Sequence, residues 1–425
     1  MRRVVVTGMG IWSCIGQDLE TVTEILKQGR SGIIFDAQRI EFGLRSGLMG
    51  NVPRPNLKPL LSRKFRATMS GDTEYAYMAA RQAFEQAGIN DDYLRQNEVG
   101  IIYGNDGNGL ARKEGNDILN KEHSALMLGP TALFRGETSS VTMNLSSVFH
   151  LRGISCIIGA ACASGSQTIG IASLFIRTGL QQMVLVGGSQ EIDLGGFASV
   201  DALEALSLRN DDPQHASRPF DRDRDGMVNS GGAAALVLEE YEHAIARGAT
   251  ILAEVVGYGF SSNGIEDISM SSADGEYRAM KRALDDAGIK PEDIDYVNAH
   301  ATSTIQGDIE EAKALTKLFG AKTATLKEQG TRSKEHGAKT PWISSTKSMT
   351  GHENWMAGAS EAVYSILMMQ NSFVAPNINL ENVIDEAKDL RIARETIYTP
   401  VNTVLSNSSG MGGTNSALVF RLIQQ

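Results

Sequence analysis

A cysteine set among small residues is the first feature of this chain that could do chemistry. In "IIGAACASGSQTIG" Cys162 stands between alanines, where an apolar run gives way to a helical pattern. Such a turn aims helix N-terminal N–H groups and the positive end of the helix dipole at the sulfur, which favours thiolate over thiol. It also offers the cysteine's own backbone N–H to an oxyanion on an attacked carbonyl, as in a nucleophile elbow. A small hydrophobe in a tightly packed helix is the competing reading. Cys156, inside an apolar stretch, and Cys14 in "IWSCIG" fit that second reading better.

A nucleophilic cysteine needs a proton handler, which directs attention to the seven histidines. His123, His150, His215, His243 and His336 read as surface or packing residues. His300 and His352 differ. "DYVNAHATSTIQGD" puts His300 where an apolar strand ends and the chain turns toward a helix, the usual edge for active-site groups in α/β sheets. "ISSTKSMTGHENW" repeats that pattern, with Lys347 ahead of Gly351 and His352. "SNSSGMGGTNSA" supplies a glycine-rich turn suited to close backbone approach and to donating an N–H. A phosphate-binding loop is the alternative for that turn, but the P-loop lysine pattern and a following helix are missing.

These residues require elements to hold them. "RRVVVTGMG", "VGIIYGN" and "QQMVLVGGSQ" are short β-branched runs closed by glycine, the pattern of buried strands. Helical stretches such as "DLETVTEILKQG" and "DTEYAYMAARQAFEQAG" separate them, so the fold class is α/β. After about residue 240 the scheme restarts with "ILAEVVGYG", "EYRAMKRALDDAGI", "DIDYVNAHA" and "DIEEAKALTKLFG". Two successive halves, 1–250 with the cysteine and 251–425 with the histidines and the lysine, suggest an internal structural duplication. The polar stretch 322–339 reads as a surface excursion.

Composition narrows the class. The chain of 425 residues with 42% hydrophobic content has ample core for a large α/β protein. A net charge of -10 speaks against a general nucleic-acid binder. Three cysteines without CxxC spacing suggest neither a disulfide framework nor a metal site. Glycine interrupts the opening "MRRVVVTGMG" and no long apolar run occurs, so an untargeted cytoplasmic protein without a membrane segment is expected.

The ordered set "VVVTGMG", "ACASG", "SRPFDRDRDGMV", "NAHATST", "STKSMTGH", "APNINL" and "SNSSGMGGTN" resembles the β-ketoacyl-acyl-carrier-protein synthases, condensing enzymes that elongate fatty acids or polyketides. The resemblance runs along essentially the whole chain. It implies a thiolase-like five-layer α/β/α/β/α fold of two pseudo-symmetric halves, dimeric as homodimer or ketosynthase heterodimer. It also implies a decarboxylative Claisen condensation. Cys162 would accept the acyl group, and His300 and His352 would bind the malonyl thioester carbonyl and stabilise the enolate, with Lys347 polarising the site. Backbone N–H groups of Cys162 and Met411 would form the oxyanion hole. Asp308 and Glu311 match an acidic pair for which a structural role or a bound cation is implied, an exposed helix-start carboxylate being the alternative.

No resident cofactor is implied, because phosphopantetheine arrives on the carrier. That acidic partner calls for a basic surface. Arg209 matches a carrier-contact position of the family, and Arg63, Lys64, Arg112 and Lys113 are further candidates, with scattered solvated charges as the bland reading. The chain departs from the family's usual pattern at Ala301, Trp355, Met356 and Met411, the last beside Gly412 in the glycine turn. These side chains are expected to reshape the acyl pocket or its gate and so alter acyl selectivity. A chain-length-setting partner subunit without catalysis, and a thiolase or acyl-hydrolase, are the competing functions. The first is disfavoured by the presence of Cys162, the second by the absence of a cysteine near the C-terminus.

Overall fold

The computed structural model describes residues 1–107, 109–320 and 340–423. The stretch expected to form a surface excursion, 322–339, lies outside them. Among the described residues the main sheet has ten strands: β1 (Val4–Trp12), β2 (Gly100–Gly104), β3 (Ser155–Ile158), β4 (Met183–Gln190), β5 (Gly232–Glu240), β6 (Ala253–Ser262), β7 (Tyr296–Asn298), β8 (Trp342–Ser344), β9 (Thr403–Gly410) and β10 (Thr414–Arg421). In the first half the spatial order is β3-β2-β4-β5-β1, and in the second it is β8-β7-β9-β10-β6. Counted within each half, the order is the same. So is the strand sense, since β2 is parallel to β3 and β4 as β7 is to β8 and β9, and the remaining pairs are antiparallel. The two halves of this sheet, each folded into a layer of its own, join along their first strands through Val5–Glu254 and Val6–Ala253.

Alternation along the strands explains the layers. In β5, Leu236 and Leu238 join one core while Ala235 and Val237 join another, and in β10 Leu418 and Phe420 are divided in the same way from Ala417 and Val419. A strand buried on both faces reads as a continuous apolar run, which is why the sequence shows these segments plainly. The inner core is filled by α2 (Ser164–Arg177) and α5 (Ala357–Asn371), with Ile169, Ile176, Val363 and Met368 packed between the sheets. Outside lie α1 (Gly71–Gln86) over the first sheet and α3 (Ala273–Ala287) with α4 (Ile305–Leu315) over the second. The result is the expected five-layer, pseudo-symmetric arrangement.

The halves also repeat a packing device. Gly8 and Gly10 on β1 lie against the carbonyls of Ala83 and Ala79 of α1, as Gly257 and Gly259 on β6 lie against Ala283 and Ala279 of α3. The contact that matters most for the site is the crossing of the two central helices. A Cβ on Gly165 would come 2.7 Å from Ala359 N, and one on Gly358 would come 2.5 Å from Ser166 N. Backbone contact at this point brings the starts of α2 and α5 together.

Strand β5 has no counterpart in the sequence reading. Its "GAAALVLEE" opens with three alanines, of which Ala233 and Ala235 pack in the cluster shared with α1, and alanine carries little strand signal. No helix among the described residues is long and apolar enough to cross a membrane.

Candidate active site

Cys162 sits in the turn between β3 and α2, where Ala161 takes φ +46°. Side chains fix that turn. Ser164 Oγ accepts from Ala160 N at 2.9 Å and donates to Ala161 O at 2.6 Å, and Asp106 accepts from Ala161 N at 3.1 Å. The glycine turn after β9 closes over the cysteine. A Cβ on Gly410 would come 2.8 Å from Ala160 O and 3.3 Å from Cys162 N, so glycine is what lets the turn approach this closely. As a result, the N–H groups of Met411 and Cys162 both interact with the sulfur.

Those two N–H groups and the Lys347 charge favour the thiolate, yet burial outweighs them and pushes the Cys162 thiol up to about 11. The expectation of a resting thiolate is therefore corrected. The helix start and the lysine act, but on a sulfur stripped of water.

His300 follows β7 on a loop held from beneath by Glu311, which accepts from His300 N at 2.7 Å, Ala301 N at 2.6 Å and Asn407 Nδ2 at 2.9 Å. Asp308 accepts from Phe220 N at 2.8 Å and Ser303 N at 3.1 Å and lies 3.6 Å from Arg224. Both carboxylates are fully buried, so the reading of an exposed helix-start group is wrong. Their oxygens are committed to protein donors. The set fits a loop clamp and does not fit a cation held by this pair.

Lys347 opens a short helix after β8 and is buried. Its Nζ forms an ion pair with Glu361 of α5 and lies 3.4 Å from His300 Nδ1. An ammonium has only donors, so Nδ1 must accept and the His300 proton resides on Nε2. His352 is fixed through its backbone, N–H to Val228 O at 2.6 Å and O from Ser230 N at 2.8 Å. The two imidazoles meet edge to face with centroids 5.3 Å apart. Burial, followed by the Lys347 charge and for His300 also His352, holds both well below the ordinary value of 6.5. Both rings are therefore neutral at neutral pH and able to donate an N–H.

One pocket is lined by Cys162, His300, His352 and Met411 together with Thr302 and Thr304. Lys347 stands behind it. Met411 projects, half-exposed, from the tip of the glycine turn, and Gly412 follows at φ +82°. Trp355 and Met356 do not line this pocket. Met356 is buried in the core between the sheets, and the Trp355 ring lies over Gly107.

The basic residues separate into two groups. Arg63 and Lys64 stand exposed on a short helix, Arg63–Arg66, without an ion-pair partner among the described residues. Arg112 donates to Gly136 O at 2.8 Å and lies 3.6 Å from Glu137, and Lys113 pairs with Asp117 at 2.7 Å. Arg209 donates to Asp223 O at 2.6 Å in a surface cleft shared with Asp212, His215 and Glu381.

Two acids of the site were missed by the sequence reading. Glu361, a lone charge in the apolar "GASEAVYSILMM", had a signal, since a buried carboxylate demands a cation. Glu276 lines the pocket from the first turns of α3, and its position in a helix-start pattern hid it.

The family model for the β-ketoacyl synthase N-terminal domain matches residues 1–244, and that for the C-terminal domain matches 252–381. The chain belongs to the β-ketoacyl synthase family. It is 39% identical to 3-oxoacyl-[acyl-carrier-protein] synthase 1 of Escherichia coli strain K12, with both chains covered in full. A solved β-ketoacyl synthase from Burkholderia phymatum superposes with a TM-score of 0.90 at 35% identity over the whole of both chains. A ketosynthase solved in complex with its type II PKS acyl-carrier protein and bound to the hexaketide gives 0.85 at 30% identity, again over all of both chains. As a β-ketoacyl synthase the protein is an acyltransferase that forms carbon–carbon bonds.

Proposed function

We propose that this synthase condenses a Cys162-bound acyl chain with a malonyl thioester by decarboxylative Claisen chemistry. The single observation that carries this reading is that Cys162, His300 and His352 line one pocket while Lys347, paired with Glu361, backs His300. In the first step the sulfur attacks the acyl thioester. The resting thiol must lose its proton, and the neutral His352 ring, whose lone pair is not engaged by Lys347, can accept it and return it to the departing carrier thiolate. The N–H groups of Cys162 and Met411 face the oxyanion that forms.

In the second step the malonyl group loses carbon dioxide and negative charge moves to the thioester oxygen. Two fixed imidazole N–H donors stabilise that enolate without acting as strong bases. The enolate carbon attacks the acyl carbonyl, the bond to Cys162 Sγ breaks, and the released thiolate takes up one proton from solvent, the proton the overall reaction consumes. The buried Lys347–Glu361 pair orients His300 so that Nε2–H points to the substrate.

The carrier reading rests on chemistry and kinship. The relatives are acyl-carrier-protein synthases, and one is a ketosynthase seen with its carrier protein. Arg63 and Lys64, exposed and without an ion-pair partner among the described residues, suit an acidic carrier whose phosphopantetheine arm delivers the thioester, better than Arg112, Lys113 or Arg209, whose charges are engaged within the chain. A dimer fits the exposed apolar side chains of Leu126, Met127, Leu133 and Phe134. Kinship with 3-oxoacyl-[acyl-carrier-protein] synthases supports a place in fatty acid synthesis, and the departures at Ala301 and Met411 bear on acyl selectivity rather than on the reaction.

Intact-mass analysis with acyl-carrier and malonyl-carrier proteins tests the reading. The expected result is an acyl adduct on the wild type, absent from Cys162→Ala, followed by extended product. An unmodified wild type that binds a related subunit tightly would favour the non-catalytic partner role instead.

A further inference from the structure

Glu276 is the one carboxyl of the pocket wall, among the described residues, that the mechanism above leaves without work. It sits in α3 with only 2% of its surface exposed, and it lines the same pocket as Cys162 and His300. Its neighbours Asp308 and Glu311 spend their oxygens on backbone and side-chain donors, but no hydrogen bond among the described residues satisfies Glu276 Oε2. The Ser409 hydroxyl interacts with the carboxyl from the glycine turn, and Ser409 Oγ likewise closes no full hydrogen bond. Ser409 lines the pocket too. Buried polar atoms are ordinarily paired, so two orphans on one wall of a substrate pocket mark a place where a ligand supplies the partner.

The groups facing Glu276 decide which partner fits. Glu311, Glu310 and Asp308 bear on it as like charges, and the cations near this group are engaged by its other members, Arg224 beside Asp308, Lys313 on Glu310 and Lys347 on Glu361. Burial raises both carboxyls, but Glu311 accepts three N–H bonds that favour its charged form while Glu276 has no such donors among the described residues, so of the two Glu276 is the one that holds a proton. A neutral carboxylic acid is a donor as well as an acceptor.

We infer that Glu276, with Ser409 beside it, is a further specificity-determining residue of this synthase that hydrogen-bonds an uncharged carbonyl or hydroxyl oxygen of the bound thioester. This rests on the reading of the pocket as a thioester site. Two sources carry that oxygen: a keto or hydroxyl group on the chain, or the amide carbonyls of the pantetheine arm.

The test compares wild type, Glu276→Ala, Glu276→Gln and Ser409→Ala in acylation of Cys162. The substrates are a saturated thioester and a hydroxylated thioester of equal length, each on a full pantetheine arm and on a short N-acetylcysteamine arm. A loss of about tenfold in kcat/KM for Glu276→Ala confined to the hydroxylated chain supports the chain as source. An equal loss on both chains that appears only with the full arm supports the arm. Glu276→Gln, which keeps an uncharged donor, stays close to wild type in either case. Unchanged kinetics on all four substrates, an equal loss on all four, or a Gln variant as impaired as the Ala variant overturns the inference. Acylation of the wild type by the saturated short thioester is the control: its absence would count against the condensing function itself, whereas its presence with no role for Glu276 counts only against this inference.

Discussion

Lys347 Nζ lies 3.4 Å from His300 Nδ1 while its charge is met by Glu361. The lysine thus sets the tautomer of a histidine and is itself held by a carboxylate from the helix that crosses α2. Three elements converge on one imidazole.

Removing Glu361 therefore leaves a buried, uncompensated ammonium. Glu361→Ala is expected to lose about 3–5 kcal/mol of stability, because the desolvation of the remaining charge is no longer offset. Lys347→Met combined with Glu361→Leu should regain most of that loss yet stay poor in condensation. Urea unfolding of the two variants checks the first statement and turnover checks the second. Equal stability of Glu361→Ala and wild type would contradict it.

The Cys162 thiol is raised from an ordinary 9.0 to about 11 by burial. A group whose folded pKa is raised contributes stability that is present below the unfolded value, here about 9, and is lost as pH climbs toward 11. Alkylation of Cys162 by iodoacetamide should accordingly keep accelerating above pH 9. A plateau reached by pH 7 would show a resting thiolate.

The imidazoles carry the opposite sign. Their folded pKa values lie well below 6.5, so the unfolded chain takes up protons the folded chain refuses, and stability falls as pH drops below 6.5. Decarboxylation by the folded enzyme should show no half-loss centred at pH 6.5. A titration of kcat at that pH would contradict neutral, desolvated rings.

Gly358 faces Ser166 so closely that an added methyl has no room. Gly358→Ala is expected to cost about 1–3 kcal/mol through overpacking, and to lower kcat beyond that, since the helix starts carrying Cys162 and His352 must separate. Thermal unfolding and turnover at a temperature where the variant is folded measure the two parts. Full activity in a destabilised variant would disconnect the crossing from the site.

Met411 and Met356 make a contrast. Met411→Ala, at the half-exposed pocket rim, should change the ratio of rates for short and long acyl chains with little loss of stability. Met356→Ala, in the core, should cost about 2–5 kcal/mol. Chain-length profiles and melting curves would count against this assignment if the two effects were exchanged.

Much of this was legible in the sequence because parallel strands lead into the residues that matter. Cys162, His300 and Lys347 each follow a strand, and the apolar run before each announces its end. Strand β5 escaped because packing beneath α1 selects alanine over the β-branched residues that mark a strand. The thiol state was misjudged because desolvation depends on what covers a group, which no local motif reports. Trp355 and Met356 were assigned to the acyl pocket because they depart from the family's usual pattern, but the turn into α5 sends one ring toward Gly107 and the other side chain into the core. Glu276 could not be found in the chain alone, because a glutamate in the first turns of a helix is ordinarily a solvated partner of the dipole.

The account depends most on a sulfur and two imidazoles acting in one pocket on one substrate. Release of carbon dioxide from malonyl-carrier protein by Cys162→Ala, compared with Cys162→Ala combined with His300→Ala, tests it most directly. The predicted result is continued release by the first variant, without acylation, and a fall on the order of 10²–10³ in the second. Equal release by both would contradict it.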